Sequence, residues 1–137
     1  MRAQNLLINV LTPDYWEATE KEMSLDYAGE KLYAAVRSMA TSTEPLQVRL
    51  ANAYLFGFHT IGLDVNADLP PDLRASYREI EKELTKVPAQ GNEGTVVATT
   101  RIMSDNEARK LIEQIVTLYD DVTQRLGVAN QHFDKKL

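Results

Sequence analysis

The chain has 137 residues, 44% of them hydrophobic and 26% charged, which is the size and composition of one folded domain. Fifteen Lys and Arg against twenty Asp and Glu give a net charge of -5, so the basic footprint that phosphate-backbone binding requires is missing and nucleic acid is not an expected partner. The absence of cysteine excludes disulfides, thiolate metal sites and cysteine nucleophiles.

Residues 1–11 carry an apolar patch of Leu6, Leu7, Ile8, Val10 and Leu11, interrupted by Asn9, with one arginine and no small-residue cleavage site before Pro13. This does not read as a signal peptide, and a cytoplasmic location is expected. The most apolar run, Leu50 to Ile61, is about half of the roughly 20 residues a membrane-spanning helix needs and contains Asn52 and His59, so no membrane partner is expected. The patch on residues 1–11 has to bury its apolar surface either across the end of the domain or against another subunit.

Thr12-Pro13-Asp14 is a helix start: a side-chain cap, a proline in the first turn and an acid near the positive end. The helix runs to about Thr41 on a stripe of Leu25, Ala28, Leu32, Ala35 and Met39, with Gly29 marking close helix contact. Thr43 is the expected cap of a second helix, with Pro45 in its first turn, which reaches Ile61 with almost no polar face and should be covered on most sides. Gly62 is its expected left-handed stop, and Asp64 to Asp68 form a turn. A third, outer helix begins after Pro70-Pro71 and carries Leu73, Tyr77, Ile80, Leu84 and Val87 along a narrow seam. The last helix opens with the capping box Ser104-Asp105-Asn106-Glu107 and is expected to close at Gly127, supported by Asp105–Arg109 and Asp121–Arg125 pairs, with 128–137 a polar tail.

The connector 88–103 is long for a compact domain. The leading expectation is an extended crossover that sets the last helix parallel to the third; the β-branched run Thr95-Val96-Val97 also allows a β-like arm, and a plain linker is the third reading. Together these elements predict an all-α single domain: a four-helix bundle with an N-terminal apolar segment and a long connection between helices 3 and 4.

Little chemistry is encoded. The residue three before His59 is Phe56, and three before His132 is Ala129, so the Glu-x-x-His pairs of di-iron bundles are absent and neither metal nor cofactor is expected. Phosphate-cradling glycine motifs and the Gly-x-Ser-x-Gly elbow are missing too. What stands out is a polar line on the second helix: Arg49, Asn52 and His59 at i, i+3 and i+10, which a regular helix projects from one face. Turned inward beside an acid of the first helix (Glu17, Glu20, Glu22, Asp26 or Glu30), these residues form a small-anion or acid/base site with Arg49 as clamp, Asn52 orienting and His59 as acid/base. Turned outward, they are an ordinary wet edge.

Phe58-His59-Thr60-Ile61-Gly62 resembles the phosphorylated helix of histidine phosphotransfer domains, which are four-helix bundles. Ile61 fits that pattern, the glycine comes one position early, and the basic residue is absent. The resemblance implies an exposed phosphoacceptor at His59. Arg125, six residues and His132 are similar in spacing to the Arg-x4–6-His element of HEPN-type ribonuclease domains, which implies a nuclease pair there; Leu126 stands where that family has a polar residue. With no catalytic constellation and a surplus apolar N-terminus, the leading expectation is a non-catalytic cytoplasmic interaction or regulatory module that self-associates or binds a protein partner. The alternative is the binding or enzymatic bundle at Arg49, Asn52 and His59.

Overall fold

The structure, a computed structural model, describes the course of the chain over residues 13–136 and the side chains over residues 24–127. The apolar segment 1–11, the Thr12 cap, the side chains of Glu17, Glu20 and Glu22, and the side chain of His132 lie outside the described residues. Over the described residues the chain is all-helical, with no strand and five helices.

Helix α1 spans Pro13–Thr41. Its predicted stripe holds: Ala28, Leu32, Ala35 and Met39 are buried, and Leu25 is partly so. Gly29 does mark close contact, because a Cβ there would sit 3.1 Å from Leu126 Cδ1. The second helix starts at Leu46 (α2, Leu46–Ala53) rather than behind a Thr43 cap. Pro45, extended at φ -57° and ψ 156°, is the residue that turns the chain in, while Ser42 Oγ accepts the Glu44 N–H at 3.1 Å. Beyond Ala53 the helix widens into a π turn, Tyr54–Phe58, tightens again over His59–Ile61, and runs on through a 3₁₀ turn, Gly62–Asp64. Gly62 is therefore not a left-handed stop: its φ is -66°. A further helical turn, Val65–Asp68, occupies the expected irregular turn and buries Val65.

Helix α3 (Pro71–Leu84) buries Leu73, Tyr77, Ile80 and Leu84, the predicted seam, and ends three residues before Val87. The connector is the main departure from expectation. It turns at Gly91 and Gly94, both at positive φ, and then forms α4 (Thr95–Arg101), so it is neither an extended crossover nor a β-like arm. The β-branched residues read as extended chain sit in a helix because tertiary burial outweighs their weak local preference. Val96, Ala98, Thr99 and Thr100 are buried, and the two threonine hydroxyls donate to the carbonyls of Thr95 (2.7 Å) and Val96 (2.9 Å), so burial leaves them satisfied.

Helix α5 (Asp105–Lys136) begins with the predicted capping box: the Glu107 N–H donates to Ser104 Oγ at 3.1 Å and the Ser104 N–H to Glu107 Oε2 at 3.3 Å. It does not close at Gly127. Nothing there demands a left-handed residue, and among the described residues a Cβ at Gly127 would meet no atom within 4 Å. At about 1.5 Å per residue, α1 and α5 are roughly 44 and 48 Å long. They run antiparallel: Gly29 faces Val122 and Leu126, and the Tyr33 and Tyr119 rings lie 6.2 Å apart. Helix α5 is also antiparallel to α3, not parallel as the crossover required. Arg125 reaches Asp72 with both guanidinium arms near the start of α3, while Lys110 lies by Glu79 and Ile80 farther along it. The connector turns at Gly91 and Gly94 and coils into a helix only about 10 Å long instead of running extended beside α3, so α5 starts where α3 ends.

Gln47 ties the heads of α2 and α5 together, donating through Nε2 to the Met103 carbonyl (3.0 Å) and to Asp105 Oδ1 (2.8 Å). Asp105 and Arg125 are thus engaged between helices, not in the expected i,i+4 pairs. The core is one cluster in which Leu32, Leu50, Phe58, Ile61, Tyr77 and Ile115 are fully enclosed or nearly so. Burial of such side chains contributes about 1.5–3 kcal/mol each. Helix α2 is less covered than its composition suggests, since Val48, Leu55 and Phe56 stay exposed.

Candidate functional site

The π turn sets the local geometry of α2. Such turns insert one residue into an α-helix and rotate the downstream residues by about 100°. Here Gly57 supplies the room: a Cβ on it would lie 2.7 Å from the Lys31 carbonyl oxygen, so the backbones of α1 and α2 touch at this point. The backbone N–H of His59 reaches back to the Tyr54 carbonyl, five residues earlier, and His59 Nδ1 lies 3.0 Å from the same oxygen. A carbonyl only accepts, so Nδ1 carries a proton, and in the neutral ring the lone pair is on Nε2.

Around His59 the aromatic rings form a chain. Tyr54 lies 5.8 Å from the imidazole and 6.3 Å from Phe58, and Phe58 stacks on Tyr77 at 4.5 Å with the planes 22° apart. Tyr77 is completely buried; its hydroxyl donates to the Phe58 carbonyl at 2.8 Å and stands 3.1 Å from Glu81 Oε2. Gly62 makes this fit, because a Cβ there would come within 2.7 Å of both Tyr77 Oη and Glu81 Oε2. Burial first, and the Glu81 carboxylate second, push both phenols above their ordinary value. Tyr77 is therefore a fixed hydrogen-bond donor rather than an acid.

The three residues of the predicted polar line do not converge. Asn52 lines a groove of about 290 Å³ between α2 and α4, beside Val48, Leu55, Val97 and Arg101. Arg49 lines a different depression, between α1, α2 and α5, and its Nε–H donates to the Glu44 carbonyl. His59, beyond the π turn, is rotated away from both. Among the described residues the ion pairs are Lys86–Glu83, Arg101–Glu93 and Arg125–Asp72, and neither Asp26 nor Glu30 pairs with Arg49. The π turn is the physical reason that His59 leaves the line, since the i+10 relation holds only for an uninterrupted helix; Arg49 and Asn52 both precede it and part because, about 60° apart around the helix, they face different neighbours.

No family model, curated protein or solved structure matches the chain. What the site can do is therefore read from its atoms. Among the described residues no group of three His, Asp or Glu side chains could hold a metal ion. Arg125, half of the nuclease-like spacing, has its guanidinium on Asp72, which holds the Asp72 carboxyl below the ordinary carboxylate value. The concavities among the described residues are grooves between helices, one of about 600 Å³ lying between α3 and α5 and lined by Ile80 and Leu118.

Sequence reasoning missed Gly57, Gly62, Tyr77 and Glu81 as one unit. Two signals for it were present: a Tyr and a Glu four apart on an outer helix, and a glycine at a place where the helix has no need to stop.

Proposed function

We propose that the chain is a non-catalytic cytoplasmic interaction or regulatory module, built as a four-helix bundle (α1, α2, α3, α5) closed at one end by α4, and that it self-associates. The observation that supports this reading is the set of large apolar side chains held in water. Leu63 is 81% exposed, Phe56 73% and Ile102 72%, with Tyr33, Leu55 and Val116 about half exposed. Single exposed apolar residues are ordinary, but here they line α2, its 3₁₀ extension, the α4–α5 junction and the α1–α5 seam. The apolar sequence of segment 1–11 adds to the same surplus.

The test is a dilution series monitored by NMR, from about 1 mM to about 10 μM, the range in which weak self-association titrates. Shifts confined to surface amides are the expected result, and spectra unchanged on dilution contradict the proposal.

A second reading, an acid/base or phosphoacceptor role at His59, is favoured by one observation: the Tyr54 carbonyl fixes the Nδ1 proton and leaves Nε2 available. Incubation with a small phosphodonor such as acetyl phosphate, read by mass spectrometry, tests it. Phosphate on wild type and none on His59→Gln supports this reading, and an unmodified wild type contradicts it.

A further inference from the structure

The seam between α1 and α5 carries two adjoining depressions of about 230 and 370 Å³. Val36 and Val116 line both. Arg49 lines only the first, with Leu46 and Ile112; Asp120 lines only the second, with Tyr33 and Tyr119. Along α5 the order is Ile112, Val116, Asp120, so a cation stands at one end of an apolar strip, an anion at the other, and the two valines lie at the centre. The strip is open to solvent, with Tyr33 52% and Val116 45% exposed.

Both end charges are unspent within the chain. Among the described residues neither Arg49 nor Asp120 forms an ion pair; Arg49 gives its Nε–H to the Glu44 carbonyl, and Asp120 Oδ2 accepts from Gln124 Nε2 at 3.0 Å. An isologous interface needs a surface that matches itself after a half-turn, so a charge on one side of the axis is satisfied by an opposite charge on the other. The seam has that arrangement about Val36 and Val116. A basic or acidic foreign partner would match one end and clash with the other.

The geometry points to a second copy of this chain as the occupant of the α1–α5 seam: a two-fold dimer with its axis at Val36 and Val116, in which Arg49 of each copy meets Asp120 of the other. The inference rests on the self-association proposed above and assigns its face. In the dimer the two α5 helices cross antiparallel, Tyr33 and Tyr119 of one copy cover the Leu46 and Ile112 end of the other, and two symmetric ion pairs close the rim. With a net charge of -5 on each copy, association strengthens with salt up to the point where the ion pairs themselves are screened.

Charge reversal tests it. Arg49 and Asp120 are surface groups outside the core, so Arg49→Glu and Asp120→Arg leave the fold intact, which circular dichroism checks. In sedimentation equilibrium each single reversal sets like charges face to face twice per dimer and raises the dissociation constant about tenfold or more, while the double reversal restores it to within about threefold. If wild type dimerises and the single reversals leave its dissociation constant unchanged, the face is wrong and self-association stands. If both singles weaken the dimer and the double does not recover, the Arg49–Asp120 pairing is overturned. A wild type that stays monomeric overturns both readings.

Discussion

Replacing Gly62 by alanine separates two roles of glycine that are usually confounded. At φ -66° the backbone is ordinary helix, so propensity alone makes Gly62→Ala stabilising by about 0.5–1 kcal/mol. Space argues the other way, since the new methyl would lie 2.7 Å from Tyr77 Oη and from Glu81 Oε2. Glu81 ends in a flexible, half-buried chain and can swing aside. Tyr77 cannot: its ring is fully buried against Phe58 and its hydroxyl is held by the Phe58 carbonyl at 2.8 Å. Forcing a methyl into such packing costs about 1–3 kcal/mol, so the net effect is a loss of up to about 2.5 kcal/mol. Tyr77→Phe, which leaves a buried carbonyl without its donor, costs about 1–3 kcal/mol by itself. It also removes the oxygen the methyl strikes, so in that background Gly62→Ala becomes neutral or stabilising. Urea unfolding of the four proteins, compared at constant m, gives the coupling energy. A stabilising Gly62→Ala in wild type, or an equal loss in both backgrounds, refutes the close-approach argument.

The same geometry sets four further outcomes. Gly57→Ala drives its methyl to 2.7 Å from the Lys31 carbonyl, backbone against backbone, and destabilises by about 2–4 kcal/mol in the same assay. Gly127→Ala stabilises by about 0.5–1 kcal/mol, because the helix continues there and no atom of the described residues lies within 4 Å of the new methyl; a loss of stability would mean that α5 ends at that residue. Arg125 holds the Asp72 carboxyl below its ordinary value, so the pair contributes above that value and its contribution fades as pH falls through the folded-state pKa, below about 3.9. The stability gap between wild type and Arg125→Gln, from urea unfolding, therefore narrows in acid. Burial, aided by Asp64, raises the Asp68 carboxyl instead, so folding disfavours its charge; Asp68→Asn gains stability at neutral pH, a gain that vanishes as acid protonates the wild-type residue.

Regular periodicity made much of the fold legible. Ala28, Leu32, Ala35 and Met39, the α3 seam and the Ser104–Glu107 capping box were readable because each is a local pattern with one physical cause. The connector was not, because Thr95, Val96 and Val97 are indifferent helix formers whose state is decided by what buries them. Glycine is readable as special but not for the right reason: the pattern suggests a backbone role for Gly62, whose role is steric, and a stop at Gly127 that no contact among the described residues imposes. The polar line failed to assemble because hydropathy carries no signature of a π turn, and one inserted residue between Asn52 and His59 breaks the i+10 relation. The Tyr77–Glu81 unit depends on the meeting of α2 and α3, which no local pattern records.

An interaction module that associates with itself must show that association in the intact chain. Sedimentation equilibrium of the full chain at several loading concentrations tests this most directly. A reversible monomer–dimer equilibrium is the predicted result, and a single species of 15.4 kDa at every concentration would contradict it.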